Sequence, residues 1–162
     1  MSTYGRQFLS PTGRAVKVAV DYNDFDAKVA GITVDWNTVT GAPAATTLID
    51  DTPVAVGDKF LRFGQIMAKI AASGKFGPYD PAATDGRQNL VRGNCFINNL
   101  TVKQNGYLPS LNSAPTDHPQ VFDGGLVFKD RLLITTGTAS LAAGPTVATF
   151  EAAFPDINYV VN

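Results

Sequence analysis

Apolar positions along this chain come in short runs separated by turn-forming residues. Residues 15–20 (AVKVAV) alternate and residues 32–36 (ITVDW) are rich in β-branched side chains, so both are expected to be strands. Between them DYNDFDAKVAG is polar and turn-like, and 40–46 (TGAPAAT) reads as a loop of small residues. Leu48-Ile49 leads through Asp50-Asp51 to an apolar stretch at 54–56. Residues 59–63 (KFLRF) are a further strand, with Phe60 and Leu61 on opposite faces. In 65–72 (QIMAKIAA), Ile66, Met67 and Ile70 fit a helical stripe, but the run is shorter than a typical helix, which favours a strand. The whole stretch 64–93 is broken by Ser73-Gly74, Pro78, Asp80-Pro81 and Asp85-Gly86. That is a turn-rich β pattern with no catalytic constellation in it.

Residues 94–102 (NCFINNLTV) form the next expected strand, and Asn105-Gly106 is a hairpin signal because both central positions of a type I′ turn need positive φ. Residues 109–119 (PSLNSAPTDHP) read as a loop. Strands are expected at 126–128 and 131–136, after Asp123-Gly124-Gly125, and at 146–150 and 157–161, with Phe154-Pro155 between the last two. The apolar INYVV close implies a docked final strand. The chain therefore divides into a flexible N-terminal arm, residues 1–13, and a single β-rich domain, residues 14–162. The arm is polar apart from Tyr4, Phe8 and Leu9, which have no partner within it and suit a segment that orders on a partner surface.

Composition sharpens this. The 162 residues suit one domain, with 15 glycines and 10 prolines. Glu151 is the only glutamate, and every other acid is aspartate, which favours turns and caps over helix interiors. Charged residues make up 17% and the net charge is −1, with Lys and Arg scattered, so nucleic-acid binding through a basic patch is not expected. Cys95 is alone, which excludes an intrachain disulfide and fits a reducing compartment. No signal-peptide core and no run of membrane-spanning length is read in the sequence, so a soluble protein made in the cytoplasm is expected, with no membrane partner.

Candidate chemistry is sparse. His118 is the only histidine, so a Ser-His-Asp or Cys-His mechanism must use it, and no G-x-S-x-G elbow is present. Cys95 lies in an apolar strand, where a free cysteine behaves as a small hydrophobe. Asp21, Asp24 and Asp26 do not make an EF-hand loop, because Phe25 falls at a ligand position and Asp26 at the required glycine; an irregular site with Asp50 and Asp51 stays open, surface turn acids being the plainer reading. One histidine and one cysteine do not suit zinc. Asn99-Leu100-Thr101 matches a glycosylation sequon but sits in an expected strand. No cofactor, metal or catalytic residue is assigned, and the chain is expected not to be an enzyme.

The run GQIMAKIAASGKFGPYDPAATDG, followed by LVRGNCFI, resembles the head decoration (capsid cement) proteins of tailed bacteriophages. HPQVFDGGLVFKDRLL and FPDINYVV resemble later segments of that family, so the likeness covers roughly the C-terminal two thirds of the chain. It departs at Arg92-Gly93-Asn94-Cys95, where small apolar residues are more usual, and in the loop from Tyr107 to His118. The resemblance implies a mainly β, or α+β, fold: a small β-tulip-like domain with a flexible N-terminal arm. It implies a non-enzymatic virion structural protein on the outer capsid surface. Such a protein binds the expanded phage capsid as a homotrimer at three-fold and quasi-three-fold positions and stabilises it. The partners would be the major capsid protein and other copies of the chain. Within the arm, Tyr4, Phe8 and Leu9 would then be apolar anchors, with Arg6 and Arg14 facing capsid carboxylates. Two readings compete: another virion component, such as a head fibre base or tail protein, and a carbohydrate-binding β-domain stacking sugars on Trp36, Tyr79 or Tyr107.

Overall fold

The computed structural model describes residues 25–27, 31–47, 53–62, 64–99, 101–104, 117–118, 121–128, 132 and 145–160. The strands are β1 (Phe25–Ala27), β2 (Ile32–Thr33), β3 (Thr46–Thr47), β4 (Pro53–Val54), β5 (Phe60–Leu61), β6 (Ile66–Lys69), β7 (Phe76–Pro78), β8 (Cys95–Asn98), β9 (Val102–Lys103), β10 (Asp117–His118), β11 (Val121–Phe128) and β12 (Ile157–Val160). A 3₁₀ turn covers Trp36–Thr38, and helix α1 covers Val147–Ala153. The fold is mainly β with a small helical part. A six-stranded sheet runs β1-β11-β8-β6-β7, with β12 also on β11; three two-stranded ribbons, β10–β2, β3–β4 and β5–β9, lie outside it.

The inner strands are apolar on both faces because both faces are covered. Cys95 and Ile97 of β8 and Ile66 of β6 pack with Phe150, Ala153 and Phe154 on the helix side. Phe96 and Met67 point the other way, into a cluster with Ile32, Val34, Trp36, Leu61 and Val102. A run that buries side chains on alternate faces into two cores reads in sequence as continuously apolar, which is how 65–72 and 94–98 look. The strand reading of 65–72 holds for Ile66–Lys69, whereas 71–73 form a turn. Phe60 and Leu61 also separate as expected, into different clusters.

Three elements differ from the sequence reading. Residues 147–153 are helix, not strand: Thr146 caps the start, its hydroxyl accepting from the Thr149 N–H at 3.2 Å. Val147, Phe150, Ala153 and Phe154 fall on one face at helical spacing against the core. Phe150 and Phe154 stack with ring centres 4.8 Å apart. Asp123-Gly124-Gly125 lies inside β11 rather than before it. Phe25 pairs with Gly125 while Ala27 pairs with Phe122, so β11 carries one extra residue there. This bulge, with Gly125 at φ +117°, explains why Phe122 and Val127, an odd number of residues apart, share the helix-side core. Finally, 94–102 is not one strand, because the chain leaves β8 and resumes pairing as β9.

Further readings also shift: β1, Phe25–Ala27, lies in the polar stretch read as turn-like. Asp117 and His118, expected in a loop, pair with Thr33 and Ile32. The expected strand at 32–36 turns into the 3₁₀ turn at Trp36, where Asp35 accepts from the Asn37 N–H at 3.0 Å. The final strand is docked: β12 runs parallel to β11 from Gly125–Ile157 to Phe128–Val160. The strands expected at 15–20 and 131–136 and the Asn105-Gly106 turn lie outside the described residues, apart from Leu132, which is buried.

Candidate binding surface

Strands β7 and β8 flank β6 on opposite sides, so the chain between them must cross over β6. Residues 79–94 make that crossing without regular secondary structure, yet they are closely bonded. At the entry, Tyr79 N–H donates to Ile66 O at 2.9 Å; at the exit, Asn94 O accepts from Lys69 N–H at 3.0 Å. Asp80 folds the first turn, accepting from Ala82 N–H at 2.9 Å through Oδ1. Arg87 closes the middle. Its Nε donates to Asp85 Oδ2 at 2.9 Å, and its Nη1 to Pro78 O at 3.0 Å.

Gly86 is required where it stands. It takes φ +112°, and a Cβ there would meet Ala71 N at 2.9 Å and Lys69 O at 3.0 Å. Partial burial acts to raise the Asp85 carboxyl, but the Arg87 side-chain and backbone hydrogen bonds and the guanidinium charge outweigh it and hold it below its ordinary value. Tyr79 and Leu90 turn inward against the helix-side core. Arg92 bonds Asp156 beyond the end of α1, tying loop to helix. Val91 is left outward at 54% exposure. A compact, self-bonded crossing loop of this kind is a common carrier of recognition.

A second projection is built by 40–47 and 53–58. Ala55 to Asp58 form a turn with Gly57 at φ +82°, in which the Asp58 carboxylate accepts from Ala55 N–H at 2.8 Å. Lys103 from β9 clamps it, 2.6 Å from Asp58 and 3.1 Å from Pro53 O. The Lys103 hydrogen bond, then that of Ala55, hold the Asp58 carboxyl below its usual value. Gly41 allows the turn to sit close, since a Cβ there would meet Gly57 O at 2.8 Å. Val56 occupies the tip at 69% exposure. Residues 38–47 and 53–57 contain no charged side chain.

The chemical candidates fare differently. Burial, then the charge of Asp123, push the Cys95 thiol up to about 12, against a 3.2 Å contact to Val91 O; such a thiol is a core group, not a nucleophile. His118 lies on β10, in a different sheet from Cys95 on β8. Trp36 is 7% exposed and packs in the core, which removes it as a sugar platform. Tyr79 is partly buried, and Tyr107 lies outside the described residues. Asn99 and Thr101 of the sequon are both buried, so the folded chain does not present it. Among the described residues no three His, Cys, Asp or Glu side chains gather for a metal.

Tyr4, Arg6, Phe8, Leu9 and Arg14 lie outside the described residues, as do Asp21, Asp24, Asp50 and Asp51. Sequence reasoning singled out neither Val56 nor Val91. Val56 had one local signal, its place before Gly57 in a turn; Val91 had none, because its exposure depends on how the loop crosses β6. No family model, curated protein or solved structure matches the chain.

Proposed function

We propose that this chain is a non-enzymatic virion structural protein that binds the outside of an expanded phage capsid as a homotrimer and stabilises it. The sequence resemblance suggests the class, and the character of the described surface is the observation that carries the reading. That surface offers a rigid crossing loop with an outward valine, an uncharged ribbon with another, and ion pairs already closed within the chain: Arg87–Asp85, Arg92–Asp156 and Lys103–Asp58. A surface of this kind can be covered by a protein partner without stranding many unpaired charges. The one cysteine is held in a protonated, buried form, which suits a scaffold rather than a catalyst.

Stabilisation would act by mass action. A ligand that binds only the assembled shell adds RT ln(1 + [L]/Kd) per site, about 2.7 kcal/mol at a hundredfold excess over Kd. Trimerisation strengthens it, because one docked subunit holds two more near their sites. The arm, residues 1–13, would dock on the major capsid protein through Tyr4, Phe8 and Leu9, with Arg6 and Arg14 meeting carboxylates. The test is co-sedimentation of the purified chain with expanded capsids, alongside its solution mass. Saturable binding at three copies per three-fold position is expected. Absence of binding to expanded heads, or binding confined to tails, would overturn the reading.

A further inference from the structure

Two demands of the crossing loop meet at the Asp85–Gly86 step. Glycine is forced at 86 by its positive φ and by the close approach of Ala71 N and Lys69 O. Aspartate at 85 supplies the carboxylate that Arg87 binds: Oδ1 accepts from the Arg87 backbone N–H at 3.1 Å and from Nε at 3.2 Å, and Oδ2 from Nε at 2.9 Å. Together they set an aspartyl side chain next to a backbone nitrogen that no Cβ of its own residue shields. That pair is chemically reactive. The Gly86 nitrogen, losing its proton, attacks Asp85 Cγ; a Cγ–O bond of the protonated carboxyl breaks and the hydroxyl leaves as water. The cyclic imide then takes up water at the Asp85 main-chain carbonyl and reopens as isoaspartate, with the chain running through Cβ and Cγ. Only water is released and consumed.

The groups this reaction needs are engaged in the folded chain. The Gly86 N–H donates to Gln88 Oε1 at 2.9 Å. Both carboxylate oxygens are bonded to Arg87. Partial burial acts to raise the Asp85 carboxyl, but the Arg87 bonds and charge hold it low, in the ionised form that has no hydroxyl to lose. The main chain is pinned as well: Asp85 O accepts from Ala71 N–H at 2.8 Å, and Gly86 O from Asn89 N–H at 3.1 Å.

We propose that Asp85–Gly86 is a latent isoaspartate site, held closed in the folded chain by Arg87 and Gln88 and opened by local unfolding of the crossing loop. Conversion is one-way for the fold. It lengthens the main chain by a methylene where even a Cβ on Gly86 would meet Ala71 N at 2.9 Å, so the converted loop does not return to its bonds. The site belongs to the loop and does not depend on the capsid reading.

The test incubates the full chain in warm, mildly acidic buffer, folded and in guanidinium chloride. Isoaspartate at residue 85 is quantified by electron-transfer fragmentation of its peptide, which separates it from Asp123-Gly124 and Asn105-Gly106. The folded chain should convert at least about tenfold more slowly than the unfolded chain. Gln88→Ala and Arg87→Ala should each raise the folded-state rate severalfold. Lys103→Ala, which frees the Asp58 turn elsewhere in the fold, should stay within about twofold of wild type. Equal rates in folded and unfolded chain, or no isoaspartate in either, overturn the proposal. So does an unchanged rate in Gln88→Ala or Arg87→Ala, or an equal rise in Lys103→Ala, which would make global unfolding the route. Should Arg87→Ala fail to fold, Gln88→Ala and the wild type decide.

Discussion

At the scale of single residues, Arg87 links the two turns of the crossing loop, and its guanidinium is largely shielded while its partner Asp85 is more open. Removing it strands Pro78 O and releases Asp85. Arg87→Ala should cost about 2 kcal/mol, seen as a lower urea midpoint with an unchanged m-value. Arg87→Lys should not fully restore it, since a single ammonium cannot reproduce the fork. The same contact carries an acid dependence. The Asp85 carboxyl is depressed in the folded chain, so its contribution is present above the ordinary aspartate value of about 3.9 and is lost as pH falls through the folded value. Asp85→Asn should flatten that part of the profile. Cys95 gives the opposite sign. Its thiol is raised from 9.0 to about 12, so stability is full below the lower value and declines as pH rises between the two. Cys95→Ala should remove this alkaline slope, and a thiol reagent at pH 8 should label the native chain far more slowly than the urea-unfolded chain.

At the scale of elements, α1 depends on its cap. Thr146→Ala should destabilise the protein by about 1 kcal/mol and Thr146→Ser by little, read from urea midpoints, because only the hydroxyl meets the Thr149 N–H. This helix also shows where the sequence is hard to read. TVATF is dense in β-branched and aromatic residues, so strand propensity dominates locally, and only packing against the sheet reveals the spacing of Phe150, Ala153 and Phe154. Glu151 was a usable hint: the only glutamate in the chain lies in the one described helix. β11 was obscured for a different reason. Asp-Gly-Gly is a turn signal in isolation, whereas here neighbours on both edges hold it in a bulged strand. β6 and β8 were legible because burial on both faces leaves few polar positions to confuse the period. The candidate surface was the least legible part, since Val56 and Val91 differ from buried valines only in what folds over them.

At the scale of the whole molecule, the proposal divides the labour between a folded body and the arm. The described body closes its two main cores with strands, ribbons and α1. If the arm is separate from the body, deleting 1–13 should leave the unfolding free energy from urea titration within about 0.5 kcal/mol of the full chain, the range of changes away from packed features. Capsid binding should respond far more strongly. If three arms engage together, the loss is multiplied through effective concentration, and co-sedimentation with expanded capsids should fall by at least tenfold. Val91→Asp supplies the contrast, because it places a charge on the rigid loop and leaves the arm intact. Normal binding by the arm deletion together with loss in Val91→Asp would move the capsid contact from the arm to the crossing loop. Normal binding by both would remove the two surfaces on which the docking scheme rests. A body that unfolds when the arm is deleted would show instead that 1–13 belongs to the core, and the division itself would fail.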